Sequence, residues 1–181
     1  MGMVIKFYST DEDYGNFSNF SRHPITLDDR VWPTSEHYFQ AQKFIDSPGY
    51  QEQIITAETP QEAAQLGRDK TYSIRKDWDS IRNDVMRLAV LQKFSEHQIL
   101  RDELLSTEEE KIVEVTTDDY HWGEGSEGTG TNMLGIILME VRYALREEEK
   151  YLKDNRDLDV PIHEDNPAYQ YQRKVLNRLG L

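Results

Sequence analysis

Hydrophobic and polar positions alternate over Val4–Tyr8, which predicts a strand near the start of the chain. A polar stretch, Ser9–Asn19, follows it and contains Tyr14-Gly15 and the aromatic Phe17; Phe20 comes just after. Ile25–Leu27 and Val31-Trp32 flank Asp28-Asp29-Arg30, a pattern that suits a β-hairpin. Pro33 ends that extended segment, and Thr34 or Ser35 can accept a backbone N–H as the N-cap of a helix over about Glu36–Asp46. Ser47-Pro48-Gly49 closes it. Further helices are expected over Tyr50–Ala57, from the capping box Thr59-Pro60-Gln61-Glu62 to Gly67, from Asp77 or Asp79 to about Ser95, and over His97–Leu105. Ile81, Val85, Leu88, Ala89 and Gln92 give the fourth of these its buried stripe.

Lys111–Thr116 alternates around Ile112, Val113 and Val115 and reads as a second short strand. Gly123–Gly130 reads as a flexible glycine-rich loop, and Asn132 opens a hydrophobic helix through Met133, Leu134, Ile137, Leu138, Val141 and Leu145. Helices outnumber strands and do not interleave with them regularly, so the expected fold is α+β: a mostly helical single domain with a few short β-strands. Past Arg146 the character changes. Residues 147–165 are dense in charge and broken by Pro161, with Pro167 just beyond, and Asn166-Pro167 can cap a last helix carrying Tyr171, Val175 and Leu179. The domain is therefore placed at 1–146, with 147–181 as an acidic C-terminal extension that wraps it or serves an interface.

Composition narrows the function classes. The 181 residues carry 34 acidic and 21 basic side chains, a formal charge of −13, which opposes broad non-specific attraction to nucleic acid and favours a small, specifically held substrate. There is no cysteine, which excludes a disulfide framework, a thiol nucleophile and a cysteine zinc site. The five histidines (His23, His37, His97, His121, His163) show no ligand spacing, so no metal and no cofactor is expected. No apolar run reaches the roughly 18–20 residues of a membrane span, and the N-terminus reads as a strand and not as a signal peptide. A cytoplasmic protein without membrane partners is the simplest expectation.

The stretch from Trp32 to Phe44 holds the candidate chemistry. On a helix Glu36, Gln40 and Lys43 fall at i, i+4 and i+7, so a carboxylate, an amide and an amine share one face. Tyr38, Phe39, Ala41, Phe44 and Ile45 surround the strip and mark the helix as buried, where charges are rarely idle. Spacing alone more often marks an ordinary solvated face. A second constellation lies at Tyr120, His121 and Trp122, which can stack on a base or ribose, with the 123–130 loop and the helix start at Thr131-Asn132 able to hold an anion. Arg22, Arg68, Lys70, Arg75 and Lys76 are available for phosphate, Arg68 with a planar donor fork.

The segments Tyr14–Phe20, Trp32–Phe44, Ala63-Ala64 through Gly67-Arg68, Trp78, Asp84–Met86, Tyr120–Gly125 and Asn132–Gly135 with Leu138-Met139 resemble the NADAR, or YbiA-like, family. The match is collinear from about residue 4 to 146. The resemblance implies a mainly helical α+β fold and hydrolysis of a ribose–nitrogen N-glycosidic bond. It implies as substrate either a phosphoribosylamino-pyrimidine intermediate of riboflavin synthesis or ADP-ribosylated guanine. Glu36, Lys43, Trp78, Trp122 and Asn132 match its site; Asn19, Phe20, Gln40, Arg68 and Gly123 complete the candidate substrate contacts. The family often has Asp after Trp-Gly, where this chain has Glu124.

Two mechanisms fit. Glu36 can stabilise the developing sugar cation or activate water while a second acid such as Glu124 protonates the leaving nitrogen. Alternatively a neutral Lys43 can exchange into a ring-opened ribosylamine as a Schiff base, although Glu36 nearby is expected to raise its pKa. Against catalysis stand a non-catalytic module that binds ADP-ribose or a nucleotide, and a structural protein whose acidic tail recruits a partner.

Overall fold

A parallel strand pair ties the start of the chain to residues 111–114. The computed structural model describes residues 2–156 and 164–181. In it β1 (Val4–Phe7) pairs with β4 (Lys111–Glu114), with Ile5 opposite Ile112 and Phe7 opposite Glu114. A parallel pair needs a long crossover, and here it holds a hairpin and five helices. The hairpin joins β2 (Ile25–Leu27) to β3 (Arg30–Trp32). Asp28 and Asp29 both take the left-handed backbone (φ 55° and 56°) that a tight primed turn demands of its central residues. The Trp32 indole donates to Leu27 O at 2.9 Å and packs edge-on against Tyr38, setting the hairpin against the next helix.

That helix, α1 (Ser35–Ala41), is buried along its whole length, and Thr34 is its N-cap, accepting from His37 N. It is shorter than the expected 36–46 and tightens into a 3₁₀ turn at Gln42–Phe44. Pro48 is the reason. It starts a new helix, α2 (Pro48–Ile55), from the first position, where its missing N–H costs nothing, so the chain must turn before it. α3 (Pro60–Leu66) has its capping box: Thr59 accepts from Glu62 N, while the Glu62 carboxylate reaches Glu58 N at 2.8 Å.

α4 (Trp78–Glu96) is the central helix, packed against α1, α5 (Gln98–Ser106), α6 (Met133–Asp154) and α7 (Pro167–Leu179). Phe17, Phe44, Met86, Phe94, Leu134 and Ile137 form the middle of the core. α6 runs past residue 146 to Asp154 without a break. α7, capped by Asn166, buries Ala168 and Val175 against α4 and α6, and Arg178 grips Asp84 of α4 at 2.6 Å. Asp157, Asp159, Pro161 and His163 of the acidic stretch lie outside the described residues. The architecture is α+β and mostly helical, and no helix among the described residues is long and apolar enough to cross a membrane.

Candidate active site

Where α1 meets α4 and the end of β4, the fold encloses a cavity of about 440 Å³. Glu36, Phe39 and Gln40 of α1 form one wall, with Lys43 and, beyond α3, Arg68. Trp78, Arg82 and Met86 of α4 form the back. Glu114 at the end of β4, with Asp119 and Trp122 beyond it, also line the cavity, as do Asn19 and Phe20.

On the α1 wall the polar groups hold one another. Glu36 is only 7% exposed, and Gln40 Nε2 donates to its Oε1 at 2.6 Å. Burial pushes the Glu36 carboxyl upward, opposed by the Gln40 hydrogen bond and by the charges of Lys43 and Arg68. Lys43 Nζ donates to Gly67 O at 2.9 Å and lies 5.8 Å from the ring centres of both Phe39 and Trp78. Its pKa is lowered. The expected upward pull of Glu36 is present, but removal of the ammonium from water outweighs it. Gly67 is required for close approach and not for its dihedral: a Cβ there would lie 1.8 Å from Gln40 Oε1. Phe39 packs at 4.9 Å from Trp78 and edge-on at 5.3 Å from Trp122, which makes an aromatic floor fit for a flat base.

On the β4 wall the support comes from backbone. Asn132 Oδ1 accepts from Glu114 N at 2.9 Å and its Nδ2 donates to Ile112 O at 2.8 Å, with Asn132 itself left-handed (φ 53°). Asp119 Oδ1 accepts from the N–H groups of His121 and Trp122, which fixes the indole at the rim. Glu114 Oε2 is buried with no hydrogen-bond partner among the described residues, as are Asn19 Oδ1 and Gln40 Oε1 on the same cavity. Burial, then the charges of Asp119 and Glu36, push the Glu114 carboxyl up to about 7.

Comparison with known proteins places this geometry. The model of the NADAR domain matches residues 6–146. The chain belongs to the NADAR family. It is 50% identical over 146 residues to N-glycosidase YbiA of Escherichia coli K12, covering 81% of this chain and 91% of that protein. It is 42% identical over 151 residues to the riboflavin biosynthesis protein VVA0006 of Vibrio vulnificus, covering 83% of this chain and 41% of that longer one. The NMR structure of E. coli YbiA superposes with a TM-score of 0.74 at 46% identity, covering 90% of this chain and 91% of that one.

Within this NADAR domain Asn19, Phe20, Glu36, Gln40, Lys43, Arg68, Trp78 and Trp122 all line the one cavity. Glu124, Gly123 and Asn132 do not. The Glu124 carboxylate pairs with Lys6 at 2.9 Å. Gly123 is packed so closely that a Cβ would meet the Thr116 side chain, and its carbonyl accepts from Asn132 N. Asn132 acts on backbone, through β4. The 123–130 loop is not the open anion cradle expected from its glycines: the N–H groups of Glu124, Gly125, Ser126, Gly128 and Gly130 are consumed within the loop and by residues 114–117. Tyr120 bonds Ser126 and faces away from the cavity, and Arg22 lines a neighbouring one with His23. Sequence reasoning missed Glu114, Asp119 and Arg82. A signal for Glu114 existed: in a strand it shares a face with Ile112, which is fully buried, so its carboxylate points inward.

Proposed function

We propose that this N-glycoside hydrolase cleaves the C1′–nitrogen bond of a ribosylamino-heterocycle nucleotide, with a phosphoribosylamino-pyrimidine as its substrate. The carrying observation is the strip on which Glu36 and Lys43 face one cavity beside an aromatic floor. The name of the Vibrio relative, a riboflavin biosynthesis protein, supports the pyrimidine. Trp78 or Trp122 holds the base, and Arg68 takes the phosphate. Breaking the bond builds positive charge on the sugar, and a carboxylate held in a site shielded from water stabilises it far better than one in bulk solvent. Glu36 has that place: burial raises its carboxyl pKa, and Gln40, Lys43 and Arg68 oppose that rise in favour of the charged form.

Burial of Lys43 supports a second route to the same products. A lysine whose pKa is lowered holds a larger neutral fraction, which can attack C1′ of the ring-opened imine and release the heterocyclic amine; water then hydrolyses the Schiff base. A larger substrate, ADP-ribosylated guanine, is a second reading of the ligand. It is favoured by an adjoining cavity that shares Tyr8, Ser18, Phe20 and Glu114 with the first and leaves room beyond a ribose monophosphate.

Turnover of both compounds, followed by mass spectrometry for wild type, Glu36→Gln and Lys43→Ala, tests the proposal. Release of base that both substitutions abolish supports it and names the substrate. Sugar trapped by borohydride on wild type but not on Lys43→Ala selects the Schiff-base route. Tight binding without turnover of either compound makes the domain a recognition module.

A further inference from the structure

The mechanism above needs a proton for the leaving nitrogen, and Glu124, held by Lys6 away from the cavity, is badly placed to give it. We propose that Glu114 is the catalytic acid that protonates the leaving nitrogen, an inference that rests on the N-glycoside hydrolase reading.

Glu114 lines the same cavity as Glu36, and strand pairing to Phe7 together with Asn132 fixes its backbone. Its Oε2 is buried without a partner among the described residues. A carboxylate oxygen left so would carry the full cost of desolvation, whereas a protonated carboxyl has an O–H to present to an incoming acceptor. The charged groups that line the cavity with it are Glu36 of α1, Lys43 of the 3₁₀ turn, Arg68 beyond α3, Arg82 of α4 and Asp119 of its own loop. Burial raises both carboxyls; at Glu36 the Gln40 hydrogen bond and the charges of Lys43 and Arg68 oppose it, whereas at Glu114 the charges of Asp119 and Glu36 add to it. Two carboxyls on one cavity whose neighbours differ in charge suit the acid and base partnership of glycoside hydrolysis.

The step balances. The C1′–N bond breaks with its electron pair going to nitrogen, which takes the Glu114 proton. Water adds to C1′ and gives its proton to Glu36. Net transfer of that proton to Glu114 through solvent restores both residues, leaving a free heterocyclic amine and a ribose phosphate.

The test compares Glu114→Gln with wild type on two substrates. One is the phosphoribosylamino-pyrimidine; the other is 4-nitrophenyl riboside 5-phosphate, whose leaving group departs without a proton. On the first, Glu114→Gln should lower kcat/KM by about 10²–10⁴-fold. On the second the loss should stay below about tenfold, which also certifies the fold of the variant. For wild type, the rate on the amine should fall as pH rises through the region of the Glu114 pKa, about 7, where the acid form is lost, and this limb should vanish in the variant. Equal losses on both substrates, or an unchanged alkaline limb, would overturn the assignment while leaving the hydrolase standing. If Glu114→Gln does not fold, Glu114→Asp is read by the same substrate ratio, with an intermediate loss confined to the amine expected and equal losses again overturning it. Wild type inactive on both substrates overturns the hydrolase reading together with this one.

Discussion

Glu36 and Glu114 line the same cavity from different elements, α1 and β4, yet their surroundings differ in kind. Glu36 has a short hydrogen bond from Gln40 and two cations within electrostatic reach. Glu114, buried as Glu36 is, has two other acids and an oxygen with no partner among the described residues. Burial favours the neutral form of both, and the surrounding charges oppose it at Glu36 and reinforce it at Glu114. Residue type alone does not assign these roles; the neighbours do.

The comparison sharpens most at Gly67. A methyl group there collides with Gln40 Oε1, so Gly67→Ala must shift the amide that donates to Glu36, next to the carbonyl that holds Lys43. Because a misplacement of about 1 Å in a catalytic group can cost about 10²-fold, Gly67→Ala should lower kcat/KM on the amine substrate by roughly 10–100-fold. The loss should be shared by the activated riboside, since the α1 wall serves both. A loss seen only with the amine would break the division of labour between the walls.

A smaller effect is expected at the hinge between them. Lys93 of α4 is 1% exposed, and its ammonium donates to the carbonyls of Asn16 and Ser18, the latter at 2.9 Å. This pins the loop whose Asn19 and Phe20 rim the cavity and whose Asn19 carbonyl accepts from Glu36 N at 3.3 Å. Lys93→Met removes that donor from two acceptors, a cost of about 1–3 kcal/mol for each that stays buried and unmet, against a gain from removing a buried charge. The net change in stability at pH 7 should be small, and KM should rise several-fold as the rim loosens. Burial lowers the Lys93 pKa from its ordinary 10.5 to about 7. Between these values the unfolded lysine keeps a proton that the folded one has shed, so this residue makes wild-type stability rise with pH. Urea unfolding at pH 7 and pH 9.5 should give wild type a gain that Lys93→Met lacks. An identical pH slope in the two proteins would show that Lys93 does not titrate in the fold.

What was legible in the chain follows the same division. The α1 strip could be read because Glu36, Gln40 and Lys43 lie within one short stretch, and a single period brings them together. The capping residue Thr34, the Thr59 box and the hairpin turn at Asp28-Asp29 are likewise local. The β4 wall is not local. Glu114 reaches the cavity only because β4 pairs with β1 across more than half the chain, and Asn132, which looked like a ligand contact, spends its side chain on the β4 backbone. The glycine loop misled for a related reason: its spare N–H groups looked available for an anion but are used to tie the loop to residues 114–117. Even the end of α1 turned on a remote role, since Pro48 starts the next helix and does not merely stop this one.

Glu124 makes the least demanding prediction and the cleanest control. It sits ten residues from Glu114 in the chain, and its N–H donates to Glu114 O at 2.9 Å, yet its side chain turns away to Lys6. That pair is partly solvent-exposed, with Lys6 56% accessible, and such ion pairs contribute about 0–1 kcal/mol. Glu124→Gln keeps the backbone bond and the volume while weakening only the ion pair. It should therefore change kcat/KM by less than about threefold on either substrate and leave the alkaline limb in place. Paired with Glu114→Gln, it separates position in the sequence from position in the site. If Glu124→Gln instead lost the amine substrate selectively, the acid would belong to the glycine loop after all. The loop would then have to release Lys6 and swing inward when substrate binds, and the contrast between the two walls would have to be drawn again around a moving carboxylate.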